Sequence, residues 1–133
     1  MINQPLITVV SPSVRRGGLD IVAKCLNRQS FIQWEWITSC NYEPPSPAIN
    51  VGVSEKIEGL NYTLNRDWNR CFRAAKGKLM VSIVDLQWFP PDTLDKLWNH
   101  YEKDNKSCIG GIGHQYDQIE NGVGELFEQL DIK

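Results

Sequence analysis

The sequence predicts a single α/β domain, Rossmann-like, with a mainly parallel central sheet and helices on both of its faces. Three observations predict it. Short apolar, β-rich runs alternate with stretches of helical periodicity. Gly and Pro punctuate the joins between these segments. Apolar residues make up 41% of the 133 positions, enough for a core of the chain's own.

The elements follow in order. Leu6–Val10 reads as a buried strand, closed by Ser11-Pro12-Ser13. Gly17-Gly18 opens a helix whose apolar positions Leu19, Val22, Ala23 and Leu26 share one face. Trp34–Ser39 is a second strand. Pro44, Pro45 and Pro47 make a rigid loop. Ala48–Val53 is a third strand. A helix over Asn61–Lys76 repeats Leu64, Trp68, Cys71, Phe72 and Ala75, and Gly77 stands where a C-terminal stop belongs. Leu79–Val84 is the most apolar strand, ended by Asp85. Pro91-Asp92-Thr93 starts a helix that buries Leu94, Leu97, Trp98 and Tyr101. Cys108–Ile112 reads as a short glycine-rich strand, and the tail from Glu120 holds one weak helical stretch with Leu126, Phe127 and Leu130.

Composition narrows the function classes. Fourteen Lys and Arg against 16 Asp and Glu give a net charge of -2, which argues against a general nucleic-acid binder. The start of the chain shows no signal peptide, and the apolar run after Gln4 is too short to span a bilayer, so a cytoplasmic protein without a membrane span is expected. Cys25, Cys40, Cys71 and Cys108 form no C-x-x-C pair, so no zinc or redox motif is signalled and reduced thiols are expected. The G-x-G-x-x-G fingerprint and the G-x-x-x-x-G-K loop are both missing, which counts against dehydrogenases and kinase-like enzymes.

Parallel α/β sheets bind ligands beyond the carboxyl ends of their strands. The polar residues there are Ser11 and Ser13, Cys40 and Asn41, and Asp85 with Gln87. The turn after the first strand lets backbone approach a base or ribose, or is an ordinary strand-to-helix loop. Asn65 and Asn69, four apart on a helix, face a phosphate or sugar, or water. An acid closing an apolar strand is costly to bury unless paired, hydrogen-bonded or metal-bound. Asp85 is thus a ligand for a cation bridging diphosphate oxygens, or a capping or salt-bridged loop residue.

Taken in order, five segments resemble the family 2 nucleotide-sugar glycosyltransferases. They are Pro12-Ser13-Val14-Arg15-Arg16, Trp34-Glu35-Trp36-Ile37, Asn69 to Gly77, Asp85-Leu86-Gln87-Trp88-Phe89-Pro90-Pro91, and Asp92 to Leu97. The resemblance implies the GT-A fold, a three-layer α/β/α domain, over about residues 5–113. It implies a nucleotide-diphosphate sugar (UDP-, GDP- or dTDP-linked) as donor, and transfer with inversion to the hydroxyl of a glycan or other acceptor. Ser11, Ser13 and Asn41 would surround the nucleoside, with Pro12, Arg15 and Cys40 in the same two turns. Asn65, Asp67 and Asn69 would line the diphosphate-sugar side. Asp85, first residue of a D-x-D-like element, would place a divalent cation, Mn or Mg, or hold ribose and diphosphate directly.

Several positions depart from the family. Cys40-Asn41 stands where acidic residues read the base. Gln87 replaces the third residue of D-x-D, which weakens the metal or makes it unnecessary. Cys71 replaces a helix glycine. The acceptor half is largely absent after the glycine-rich strand, and among Asp117, Glu120, Glu125, Glu128 and Asp131, spaced like a solvated acidic face, no general base stands out; His114 is a ligand for metal or phosphate, or incidental. The alternative reading is therefore a non-catalytic nucleotide- or glycan-binding or assembly domain with a degenerate site. A homo-oligomer is compatible with either.

Overall fold

The computed structural model describes residues 4–59 and 63–110. Its element order is β1 (Ile7–Val10), α1 (Asp20–Asn27), β2 (Trp34–Thr38), β3 (Ile49–Asn50), α2 (Leu64–Ala74), β4 (Leu79–Ser82) and α3 (Thr93–Lys103). The four strands form one all-parallel sheet in the order β3-β2-β1-β4. This is a small α/β architecture compatible with the Rossmann-like expectation.

β1 is the centre of the molecule. Ile7, Thr8, Val9 and Val10 are all fully buried: β2 and β4 pair with the two edges of the strand, and its apolar side chains enter the two core clusters. Side chains alternate along a strand, and the core divides accordingly. Ile7 and Val9 join Val22, Leu26, Trp36, Phe89 and Leu94 in one cluster. Val10 joins Ile37 and Cys71, with Trp68 and Phe72 of α2 packed against them. Full burial of each Val, Leu or Ile stabilises by about 1.5–3 kcal/mol, so β1 and α1 carry a large share of the stability.

Polar ties fix the ends. Gln29 donates from Nε2 to the carbonyls of Cys25 (3.1 Å) and Pro90 (2.7 Å), and its Oε1 accepts from the amide of Leu94 at 3.0 Å. It thereby satisfies an otherwise unpaired N–H in the first turn of α3, where Asp92 makes no side-chain cap. At the amino ends of the strands Glu35 Oε1 accepts from Thr8 Oγ1 and from the Lys76 amide, both at 2.7 Å. The Gly77 amide donates to Thr8 Oγ1 at 2.8 Å.

Four expectations are corrected. The third strand shrinks from Ala48–Val53 to two residues, Ile49–Asn50, at a sheet edge. Beyond it the Asn50 side chain replaces the ladder, accepting from the Cys40 amide at 3.1 Å and donating to the Cys40 carbonyl at 3.2 Å. Among the described residues the most apolar strand lies at the other end of the sheet, not at its middle: Met80 is 51% exposed, and the most buried strand is β1. Apolar composition does not report sheet order. The second helix runs Leu64–Ala74, with Ala75 already extended at ψ 135. Gly77 therefore does not cap it. Its role is close approach, since a Cβ there would lie 2.6 Å from the Thr8 amide nitrogen. Cys108–Gly110 is not strand.

The rest of the expected fifth strand, Asn61 and Tyr62, Gly111 to Gly113, His114 and the tail with its acidic residues, Leu126, Phe127 and Leu130 lie outside the described residues. Among the described residues no helix is long and apolar enough to cross a membrane.

Candidate functional site

The chain leaves β1, lays β2 and β3 to one side, then returns to place β4 on the other. In parallel sheets such a reversal splays the following loops and opens a crevice at the carboxyl ends. The loop after β1 carries Ser11 to Arg15, and the loop after β4 carries Asp85. The parallel pairing of β1 with β2 is prolonged by a bridge between Ser13 and Cys40, with the Ser13 amide donating to the Ser39 carbonyl at 3.3 Å. That bridge fixes where the Ser13 side chain stands.

Asp85 is 8% exposed. A carboxylate so deep needs partners, and both of its oxygens have them. Ser13 Oγ donates to Oδ2 at 2.9 Å, Arg15 Nε to Oδ2 at 3.0 Å, and Arg15 Nη2 to Oδ1 at 2.5 Å. This is a bidentate guanidinium–carboxylate pair, the strongest and most directional of protein ion pairs. Its two members are unequal: the Arg15 side chain is 64% exposed and that of Asp85 is 7%. The hydrogen bond to Asp85, then its charge, raise the Arg15 pKa further above its ordinary value. The Arg15 guanidinium therefore stays charged at any physiological pH.

Tyr42 completes the cluster. Its hydroxyl donates to Ser13 Oγ at 2.8 Å. Burial pushes the phenol pKa up, with the Ser13 bond opposing, so it remains a donor. Ser13 Oγ thus accepts a hydrogen bond from Tyr42 and donates one to Asp85.

Two backbone features make room. A Cβ on Gly18 would lie 2.8 Å from Asp85 Oδ2 and 2.9 Å from the Arg15 carbonyl oxygen, so no larger residue fits. Leu86 sits at φ 59 in the left-handed region, and its amide donates to the Gly18 carbonyl at 2.8 Å. A Leu in that region is strained backbone, of a kind concentrated at ligand sites and turns.

The other expected residues disperse. Ser11 is fully buried; its amide donates to the Ile37 carbonyl at 3.0 Å, its carbonyl accepts from Thr38 Oγ1 at 2.6 Å, and its Oγ has no partner among the described residues. Pro12 is buried beside it. Cys40 is buried, its Sγ donates to the Tyr42 carbonyl at 3.1 Å, and burial raises its thiol pKa. Asn41 is exposed at the rim. Gln87 is exposed and its Oε1 accepts from the Val84 amide at 3.3 Å, closing the turn around Asp85. Asn65 and Asn69 are exposed on α2. Cys71 turns into the core, where burial pushes its thiol up to about 12.

Asp67 forms a second, sealed centre. It is fully buried, accepting from Ser39 Oγ at 3.0 Å on Oδ1 and from Ser54 Oγ at 2.6 Å on Oδ2. Arg70 Nη1 lies 3.6 Å from Oδ1 and donates to the Val53 carbonyl at 3.2 Å. Gly52 makes room for it, since a Cβ there would collide with the Arg70 side chain.

The sequence reading missed Tyr42, Gly18 and Asn50. Tyr42 carried one signal, an aromatic with a polar tip four residues beyond the end of β2. Gly18 was legible only as a helix opener, and the nearness of Asp85 is long-range.

The donor set does not fit a divalent cation. Mn or Mg needs several free oxygens at short range. Both oxygens of Asp85 are engaged by the chain itself, and Gln87 is committed to the backbone of its own turn. Among the described residues no group of three or more His, Cys, Asp or Glu gathers that would hold a metal ion.

No family model matches the chain, and no curated protein matches it.

Proposed function

We propose that the chain is a GT-A-like domain, three-layered α/β/α, that binds a nucleotide-diphosphate sugar in the crevice between the loops after β1 and β4. One observation carries the reading: Ser13 and Arg15 after β1 meet Asp85 after β4 at the point where strand order reverses. That is where doubly wound sheets take nucleotides, and the segments that meet are those that resemble the glycosyltransferases. The nucleoside then lies along the Ser11–Ser13 turn and Asn41, and the diphosphate faces Arg15. The reaction of such a domain is transfer of the sugar, with inversion, to an acceptor hydroxyl.

The test is calorimetric titration with UDP-glucose, GDP-mannose and dTDP-glucose. One of these nucleotides binds, and Asp85→Ala weakens it. Failure of all three to bind removes the reading, and unchanged affinity in Asp85→Ala removes Asp85 from the site.

A second reading has its own observation. Asp85 is saturated by Ser13 and Arg15 without any ligand, as in a binding or assembly domain whose transferase site has decayed. Donor binding without sugar release in the presence of glycan acceptors favours it; sugar transfer excludes it.

A further inference from the structure

We infer that Arg15 takes the electrostatic place of a divalent cation, so that the site binds the diphosphate of its nucleotide without metal. The inference rests on the nucleotide reading above and specifies its chemistry. A nucleoside diphosphate brings at least two negative charges, which a metal ion or a fixed organic cation must offset. The loops after β1 and β4 hold the second kind in Arg15, whose charge Asp85 balances as carboxylate ligands balance that of a metal.

A guanidinium has five N–H donors. The pair with Asp85 uses Nε and one hydrogen of Nη2, leaving three donors directed away from the carboxylate. The head is held at two points, yet its side chain is 64% exposed. It is thus pre-oriented, and little side-chain entropy remains to be lost when an anion arrives. Asp85 acts here as a positioning residue. Ser13 holds the carboxylate through a bond of 2.9 Å, and Tyr42 holds Ser13 through one of 2.8 Å. Planar, bidentate donors suit phosphate oxygens, which Lys meets only as a point charge.

The neutral Gln87 follows from the same scheme. A second carboxylate beside Asp85 would repel the diphosphate once no metal lay between them. Gln87 instead spends its carbonyl oxygen on the Val84 amide.

The experiment is titration of the whole chain with UDP, GDP and dTDP, each once in EDTA and once in excess Mn²⁺. The inference expects one of them to bind in EDTA with the affinity changed less than about threefold by Mn²⁺, well under one charge-assisted contact. Arg15→Gln then weakens binding about 10- to 100-fold, the value of one to two such hydrogen bonds, and Arg15→Lys restores only part of the loss. Circular dichroism and a thermal melt check that both variants fold. Binding seen only with Mn²⁺ overturns the inference and leaves the nucleotide site standing. Full affinity in a folded Arg15→Gln overturns it as well. No binding under either condition removes the nucleotide reading itself, and the inference with it. Should neither variant fold, the EDTA and Mn²⁺ titrations of the unaltered chain still decide.

Discussion

Asp85 and Asp67 are both buried carboxylates near the carboxyl ends of the strands, Asp85 with one serine donor and Asp67 with two, and each has an arginine beside it. Their surroundings differ most in the exposure and the grip of the cation. Arg15 is 64% exposed and clasps Asp85 through two nitrogens at 2.5 and 3.0 Å. Arg70 is 32% exposed, 3.6 Å from Asp67, and spends a donor on the Val53 carbonyl. A buried acid with an outward-facing partner presents a charge to ligands. A buried acid with an inward-facing partner ties loops together. Asp67 joins the end of β2, through Ser39, to the loop after β3, through Ser54.

That contrast breaks most visibly at Asp67. Asp67→Ala leaves Ser39, Ser54 and Arg70 without their shared acceptor. Removing one member of a buried pair costs about 3–5 kcal/mol, and the partial exposure of Arg70 lowers the expectation to about 2–4 kcal/mol. Urea unfolding measures it. Nucleotide affinity of the folded fraction stays unchanged, which marks the centre as structural.

Gly18→Ala sharpens the other side. The added methyl meets Asp85 Oδ2 and the Arg15 carbonyl at under 3 Å, and backbone cannot yield as a long side chain does. Overpacking of this kind costs about 1–3 kcal/mol. Because the collision falls on the Arg15–Asp85 pair, the loss of nucleotide binding exceeds what the melt alone accounts for.

Tyr42→Phe has the smallest effect. It removes one donor to Ser13 and costs about 1 kcal/mol by unfolding, the usual net value of a hydrogen bond. Ser13 retains its bond to Asp85, so binding falls only slightly. A loss as large as that from Asp85→Ala would mean that the phenol itself touches the ligand.

Much of the fold was legible because local signals and tertiary packing agree. β1, α1, β2 and the start of α3 follow from apolar runs bounded by Ser-Pro-Ser, Gly-Gly and Pro-Pro-Asp. The failures that matter most for the site are not local. Nothing local states that Leu79–Ser82 ends the sheet of the described residues, since strand order depends on where the chain returns. The third strand is short because the Asn50 side chain pairs with Cys40, ten residues away. At the site, burial of Asp85 was legible from the strand that precedes it, and a salt bridge was one of the readings that burial allowed. Its partner was not legible, because Arg15 lies 70 residues earlier. Asp67 misled for a related reason. Helical periodicity places it between two exposed Asn residues, and only the fold brings Ser39 and Ser54 to it.

The central claim, that the Asp85 crevice is the ligand site and the Asp67 centre is framework, is tested most directly by NMR. The ¹⁵N-labelled chain is titrated with UDP, GDP and dTDP in EDTA. The account predicts saturable shifts at the amides of Ser13, Arg15, Gly18, Asp85 and Leu86 and at the Arg15 Nε–H, with Ser54, Asp67 and Arg70 unmoved. Shifts centred on Ser54, Asp67 and Arg70, or none at either centre with any of the three nucleotides, would contradict it.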